Sequence, residues 1–165
     1  MTKGERTDSV VGRRRGAARM AAVQALYSIG QGGGSPAQVV SEFNDHRFAT
    51  ADEAGTAIEP DREFFGALVS GSSARRKEID ALLGASLAAN WSLERVEKVV
   101  YAILQAGAFE LLDRADVPAK VVINEYVDIA HAFYEGGEPG FVNSVLDRIA
   151  RDLRPEEFAA GARAR

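Results

Sequence analysis

Three consecutive arginines, Arg13, Arg14 and Arg15, followed by Arg19, Gln24 and Tyr27 in the stretch GRRRGAARMAAVQALYSIG, are the residue types in this chain best suited to chemistry with a ligand. Guanidinium groups keep their charge and meet phosphate oxygens in a forked geometry, and an exposed ring beside them stacks on unpaired bases. A second aromatic group, Phe133, Tyr134 and Phe141, flanks the segment EGGEPG. Catalysis finds much less to work with. The chain has no cysteine, which removes thiolate metal sites and thiol nucleophiles together, and His46 and His131 stand far apart without metal-ligand spacing. There is no GxSxG elbow and no converging set of carboxylates, and GQGGGS follows a helical segment without a lysine, so it reads as a linker. Binding is therefore the expected role, with no catalytic residue, no metal and no cofactor.

The charge is unevenly placed. The 165 residues carry a net charge of −4, yet residues 1–20 balance at +4, which leaves −8 for the rest. A local basic patch on an acidic body suits a protein that touches a polyanion at one place, although charge alone fits a floppy basic tail equally well. A secretory peptide is not expected, because Arg19 and Gln24 interrupt the apolar run. No window approaches the roughly 20 apolar residues of a membrane span. The absence of cysteine agrees with a reducing compartment, so a soluble cytoplasmic protein with no membrane partner is expected.

Helical periodicity dominates the elements that must position these residues. Ala18, Ala22, Leu26 and Ile29 recur at helical spacing, which predicts a first helix from Arg13 to Gly30 whose firm start lies beyond Gly16. Residues 1–12 read as a disordered extension. Ser35 followed by Pro36 predicts a capped second helix to about Phe48, and ATADEAGTAIE reads as a loop. A long helix is expected from Asp61 to about Asn90, interrupted near Gly71. Ser92 is the expected cap of the next helix, which is apolar nearly all round its circumference and so must be central to the core or face a partner. Pro118 opens a helix with apolar stripes through Tyr126 and Ile123 and a polar stripe of Asn124, Asp128, His131 and Glu135. The last helix runs from Pro139 to Leu153, and residues 155–165 are expected to fray. Period-two alternation is absent, so the fold class is all-α, a compact helical bundle of six to seven helices.

The ordered blocks RRRGAARMAAVQALYSIG, DREFFGALVSG followed by EIDALL, WSLERV, ILQAGAFELL, DVPAKVVINEYVDIAHAF and GFVNSVLDRIAR span residues 13–154 and resemble the NusB family of transcription antitermination proteins. The resemblance implies two packed three-helix bundles without catalytic activity. It implies binding to the boxA element of nascent ribosomal RNA transcripts together with the small-subunit ribosomal protein NusE. The pair would join other Nus factors on RNA polymerase and prevent premature Rho-dependent termination. Carried over, RNA contacts fall on Arg13, Arg14, Arg15, Arg19, Gln24 and Tyr27, and on Phe133, Glu135, Gly137 and Phe141. The NusE-facing surface falls between Trp91 and Leu112 and on the DRADVP turn, with Val100, Gln105, Glu110, Arg114 and Asp116 as its residues. The sequence departs from the family pattern at Gly140, where many members carry a basic residue, and at Gln105, where many carry arginine. Two further readings use the same helices: a module that assists ribosomal RNA maturation beside a methyltransferase, and an interaction bundle that has lost RNA binding.

Overall fold

A computed structural model of the chain describes residues 9–48 and 58–163, with side chains through 159. The described residues form eight α-helices, one π-turn and one short 3-10 turn, and no strand. The expected loop over ATADEAGTAIE falls mostly outside the described residues, as do residues 1–8 of the expected extension. The chain divides into two compact units, residues 1–74 and 75–165.

The first unit holds α1 (Val10–Gly30), α2 (Pro36–Glu42) and α3 (Arg62–Ala74). Ser9 caps α1, so the ordered helix begins at Val10 and runs unbroken through Gly16, earlier than the periodicity suggested. Alanines at 18, 21, 22 and 25 line its buried side, and small side chains let α1 lie close against α3. The linker after α1 needs its glycines, since Gly32 and Gly34 have φ of 83° and 127°, a region other residues rarely adopt. At Ser35 a capping box closes the start of α2: the Gln38 N–H donates to Ser35 Oγ, and the Ser35 N–H donates to Gln38 Oε1. A π-turn, Phe43–Arg47, then brings Phe43 and Phe48 onto Phe65 of α3, with ring centroids 5.1 to 6.0 Å apart.

The second unit contains α4 (Arg76–Ser86), α5 (Lys98–Asp113), α6 (Ala119–Phe133), α7 (Glu138–Leu153) and α8 (Pro155–Arg163). The break between α3 and α4 falls at Arg75, not Gly71, where the guanidinium grips both oxygens of Glu78 and also reaches Asp113. Ser92 stands at the start of the 3-10 turn Leu93–Arg95 without a side-chain capping bond, and Glu97 caps α5 instead. The Glu97 carboxylate accepts the N–H groups of Val99 and Val100 and the Tyr134 hydroxyl proton. Burial pushes this carboxyl up, but those bonds outweigh burial and hold it below the usual carboxylate range.

The apolar circumference of α5 has a structural explanation. Every residue from Ala102 to Leu111 is buried, with α4, α6 and α7 packed around the helix. At Gly107 the neighbours come so close that a Cβ would lie 2.9 Å from Leu146 Cδ1 and 3.3 Å from a Tyr126 ring carbon. A buried helix must also satisfy its last carbonyls without water. Arg154 does this: its guanidinium donates to the carbonyls of Glu110, Leu111, Arg114 and Val117 and to the Glu157 carboxylate. Glu157 in turn accepts the N–H of Ala119, the first residue of α6. Residues 155–163 thus form an eighth helix where fraying was expected, because Glu157 is bonded and Phe158 lies under the Arg151 guanidinium. The count exceeds six to seven for that reason, and the second unit has five helices where three were implied.

Two stability measurements follow from this packing. Gly107→Ala is expected to destabilise despite a helix-propensity gain of about 1 kcal/mol, because overpacking a filled core costs about 1–3 kcal/mol. Gly66→Ala, where nothing lies within 4 Å of the new methyl, is expected to raise the thermal midpoint instead. Arg154→Ala leaves several buried carbonyls without a donor and is expected to cost about 3 kcal/mol or more in urea unfolding. Arg154→Lys should restore only part of that, since one ammonium cannot reproduce the fork.

Candidate nucleic-acid interface

The helical period of α1 places Arg13, Gln24 and Tyr27 on one stripe and Arg15, Arg19, Ala22 and Leu26 on the opposite one. The first stripe is exposed, with Tyr27 retaining 40% of its accessible surface. The second anchors the rod, and Ala22 and Leu26 are buried. Arg13 and Arg14 therefore stand on a helix capped by Ser9, whose Oγ accepts the Gly12 N–H at 3.0 Å, and not in a loose lead-in.

The four arginines differ in their surroundings. Arg14 is exposed and tethered, its Nε donating to the Glu59 carbonyl at 3.1 Å while its own carbonyl accepts the Asp61 N–H at 3.1 Å. The half-buried Arg15 holds its guanidinium 4.8 Å from the Phe64 ring centroid. Arg19 lies over the same ring at 5.1 Å and is only 2% exposed. That corrects the expectation of an RNA contact at Arg19. Its register with Ala22 and Leu26 carries it into the apolar side of the helix, where the ring face attracts the cation.

In the second unit the aromatic residues separate into two environments. Phe133, at the end of α6, is 43% exposed, and its ring lies 6.4 Å from that of Tyr134. Glu135 and Gly137 are exposed in the following turn. Phe141, one turn into α7, is half-buried with its ring 6.1 Å from the Trp91 indole.

The residues assigned to a protein partner divide more sharply. Val100, Gln105 and Glu110 are buried, Glu110 completely, so none offers its side chain at the surface. The reason is the central position of α5, which has α4, α6 and α7 packed around it. Arg114 and Asp116 do lie at the surface turn, 3.4 Å apart.

One site escaped the sequence reading. Trp91, Arg95, Glu97, Gly137, Glu138 and Phe141 line a pocket of about 340 Å³, with Val96 and Val100 at its base. Trp91 is 44% exposed, and the Arg95 guanidinium lies 5.1 Å from its ring centroid. Glu138 Oε1 is buried and has no hydrogen-bond partner among the described residues. A sequence signal existed, because Trp91 is the only tryptophan of the chain and stands in a loop beside a basic residue at i+4. What sequence could not supply is that Phe141, fifty residues later, forms the opposite wall.

Among the described residues no helix is long and apolar enough to cross a membrane. The NusB family profile matches residues 16–151. The transcription antitermination protein NusB of Maricaulis maris (strain MCS10) is 50% identical over 146 residues, covering 88% of this chain and 91% of its own length. That of Rhizobium rhizogenes (strain K84 / ATCC BAA-868) is 47% identical over 143 residues, covering 87% and 89%. Among solved structures, T. maritima NusB aligns with a TM-score of 0.71 at 27% identity over 88% of this chain and 96% of that one. A chain from the crystal structure of a plectonemic RNA supercoil aligns with a TM-score of 0.70 at 25% identity, over 85% and 96%. An ordered run of sequence blocks, an all-helical architecture and similarity across nearly the whole length agree: the chain belongs to the NusB family.

Proposed function

We propose that this chain is a transcription antitermination factor that works as an adaptor, without catalysis. It binds the boxA element of nascent ribosomal RNA transcripts together with the ribosomal protein NusE, alongside other Nus factors and RNA polymerase in the cytoplasm, and so prevents premature Rho-dependent termination. The observation that carries this reading is the two-faced α1: Arg13, Gln24 and Tyr27 share an exposed stripe on a rod whose other face is buried. Positive charge and an aromatic ring held on a rigid element suit single-stranded RNA, whose backbone takes the charge and whose bases take the ring. The names of the curated relatives support the same role.

Holding RNA and protein together makes the looped transcript tether the assembly to the polymerase, which raises its effective concentration without any new contact. Of the proposed partner residues, Arg114 and Asp116 are the two at the surface, so the DRADVP turn is the part of that region offered to NusE. Val100, Gln105 and Glu110 act indirectly, by keeping α5 rigid behind it.

Titration of a labelled boxA oligomer with and without NusE tests the reading. Affinity should fall with salt as phosphate contacts release counterions, and no binding at low salt even with NusE would overturn it. Replacing Arg13 and Arg14 together with alanine should reduce the salt slope by about 0.7 per lost contact. The helical circular dichroism should stay unchanged. Arg19→Ala should behave differently, lowering the thermal midpoint, since it removes a buried cation from the Phe64 ring.

A further inference from the structure

We propose that the pocket between Trp91 and Phe141 seats one unpaired guanine base of the bound RNA. The inference rests on the RNA-binding reading above and names what one part of that surface recognises. The pocket shares Gly137 and Phe141 with the aromatic turn of the second unit, so it is continuous with a surface already suited to RNA. Its volume, about 340 Å³, lies near the lower end of the range for small-ligand sites, which fits a single planar base and its sugar.

The walls match the faces of a base. Trp91 and Phe141 are 6.1 Å apart at 45°, an open wedge and not a closed stack, which leaves ring surface for a third aromatic system. Arg95 lies over the indole at 5.1 Å and brings positive charge to the rim, where the phosphate attached to a seated base would lie.

The edge of the base is read by Glu138, in the first turn of α7. Its Oε1 leans towards Gly136, where an added Cβ would stand 3.0 Å away, and this acceptor has no donor among the described residues. Glu138 also lines the pocket, and a turn about its last side-chain bond would present this oxygen to a seated base. A carboxylate offers two acceptors side by side, and guanine alone among the four bases offers two adjacent donors, N1–H and N2–H, on its pairing edge. Adenine and cytosine set one amino group beside a ring acceptor, and uracil sets one N–H between two carbonyls, so each opposes an acceptor to a carboxylate oxygen. Glu97, the other acid of the pocket, is already committed to Tyr134 and the start of α5.

Trp91 is the only tryptophan, so its emission reports on this pocket alone. Adding boxA RNA to the full chain at low salt should quench it, with the same midpoint as the anisotropy of labelled RNA. In the complex with NusE, replacing the RNA guanines by inosine one at a time removes the N2 amino group. One such replacement should weaken binding about tenfold, the scale of one charge-assisted hydrogen bond. Glu138→Gln should bind that inosine RNA and the parent RNA equally, and Trp91→Ala should weaken the parent RNA by about tenfold or more. Absence of all RNA binding overturns the parent reading and this one with it. Full RNA binding that is insensitive to inosine at every guanine overturns this one alone, as does inosine sensitivity that survives Glu138→Gln. Loss of NusE binding in Trp91→Ala with RNA affinity intact assigns the pocket to a protein side chain and overturns it too.

Discussion

A helix buried on all sides can exist only if its end carbonyls find donors inside the protein, and in this chain one residue supplies them. Arg154 closes the end of α5 by donating to four carbonyls and to Glu157, which then receives the first N–H of α6. Water cannot do this at a site where Glu110 is fully buried and Arg154 is 5% exposed. The cation also lies at the negative end of the α5 dipole, where positive charge is favoured. With both ends closed, Glu97 at the start and Arg154 at the finish, α5 becomes the axis on which α4, α6 and α7 are arranged.

Function inherits this arrangement. The cap at Glu97 is bonded to Tyr134, so the turn carrying Glu135, Gly136 and Gly137 is tied to the first turn of the central helix. The Trp91 pocket lies across the same junction, with its walls drawn from the loop before α5 and the start of α7. In the first unit the equivalent constraint is the buried side of α1. Arg15 and Arg19 hold the helix to Phe64 of α3 through their guanidinium faces, and this fixes the direction in which Arg13, Gln24 and Tyr27 point. The arginine run thus divides into two jobs: the residues over Phe64 set the rod in place, and those on the opposite side are available to a ligand.

Much of the fold was legible because helices announce themselves by spacing. The stripe through Val122, Tyr126 and Ile129 is buried and the polar stripe through Asp128 and His131 is exposed, as the periodicity of α6 required. Capping by Ser35 was readable for the same local reason, since Gln38 is three residues away. Ends were less legible. Ser9 and Glu97 replaced the expected starts at Arg13 and Ser92, because several residues near each start could cap and only the path of the chain selects one. The last helix was missed because Arg154 looks like a surface residue until its carbonyl partners, some forty positions earlier, are brought to it.

The sequence by itself determined the helical class, the family, the absence of cysteine chemistry and the candidate basic and aromatic segments, since each depends on residue type or on spacing within one helix. It also contained the choice between core and partner for the apolar α5 without resolving it, because both need the same apolar circumference. Only the tertiary structure decided that α5 is core, that Arg19 is an anchor and that Trp91 meets Phe141. Burial and distance between residues far apart in sequence depend on how helices pack, and helix packing is a property of pairs of surfaces that no single segment specifies.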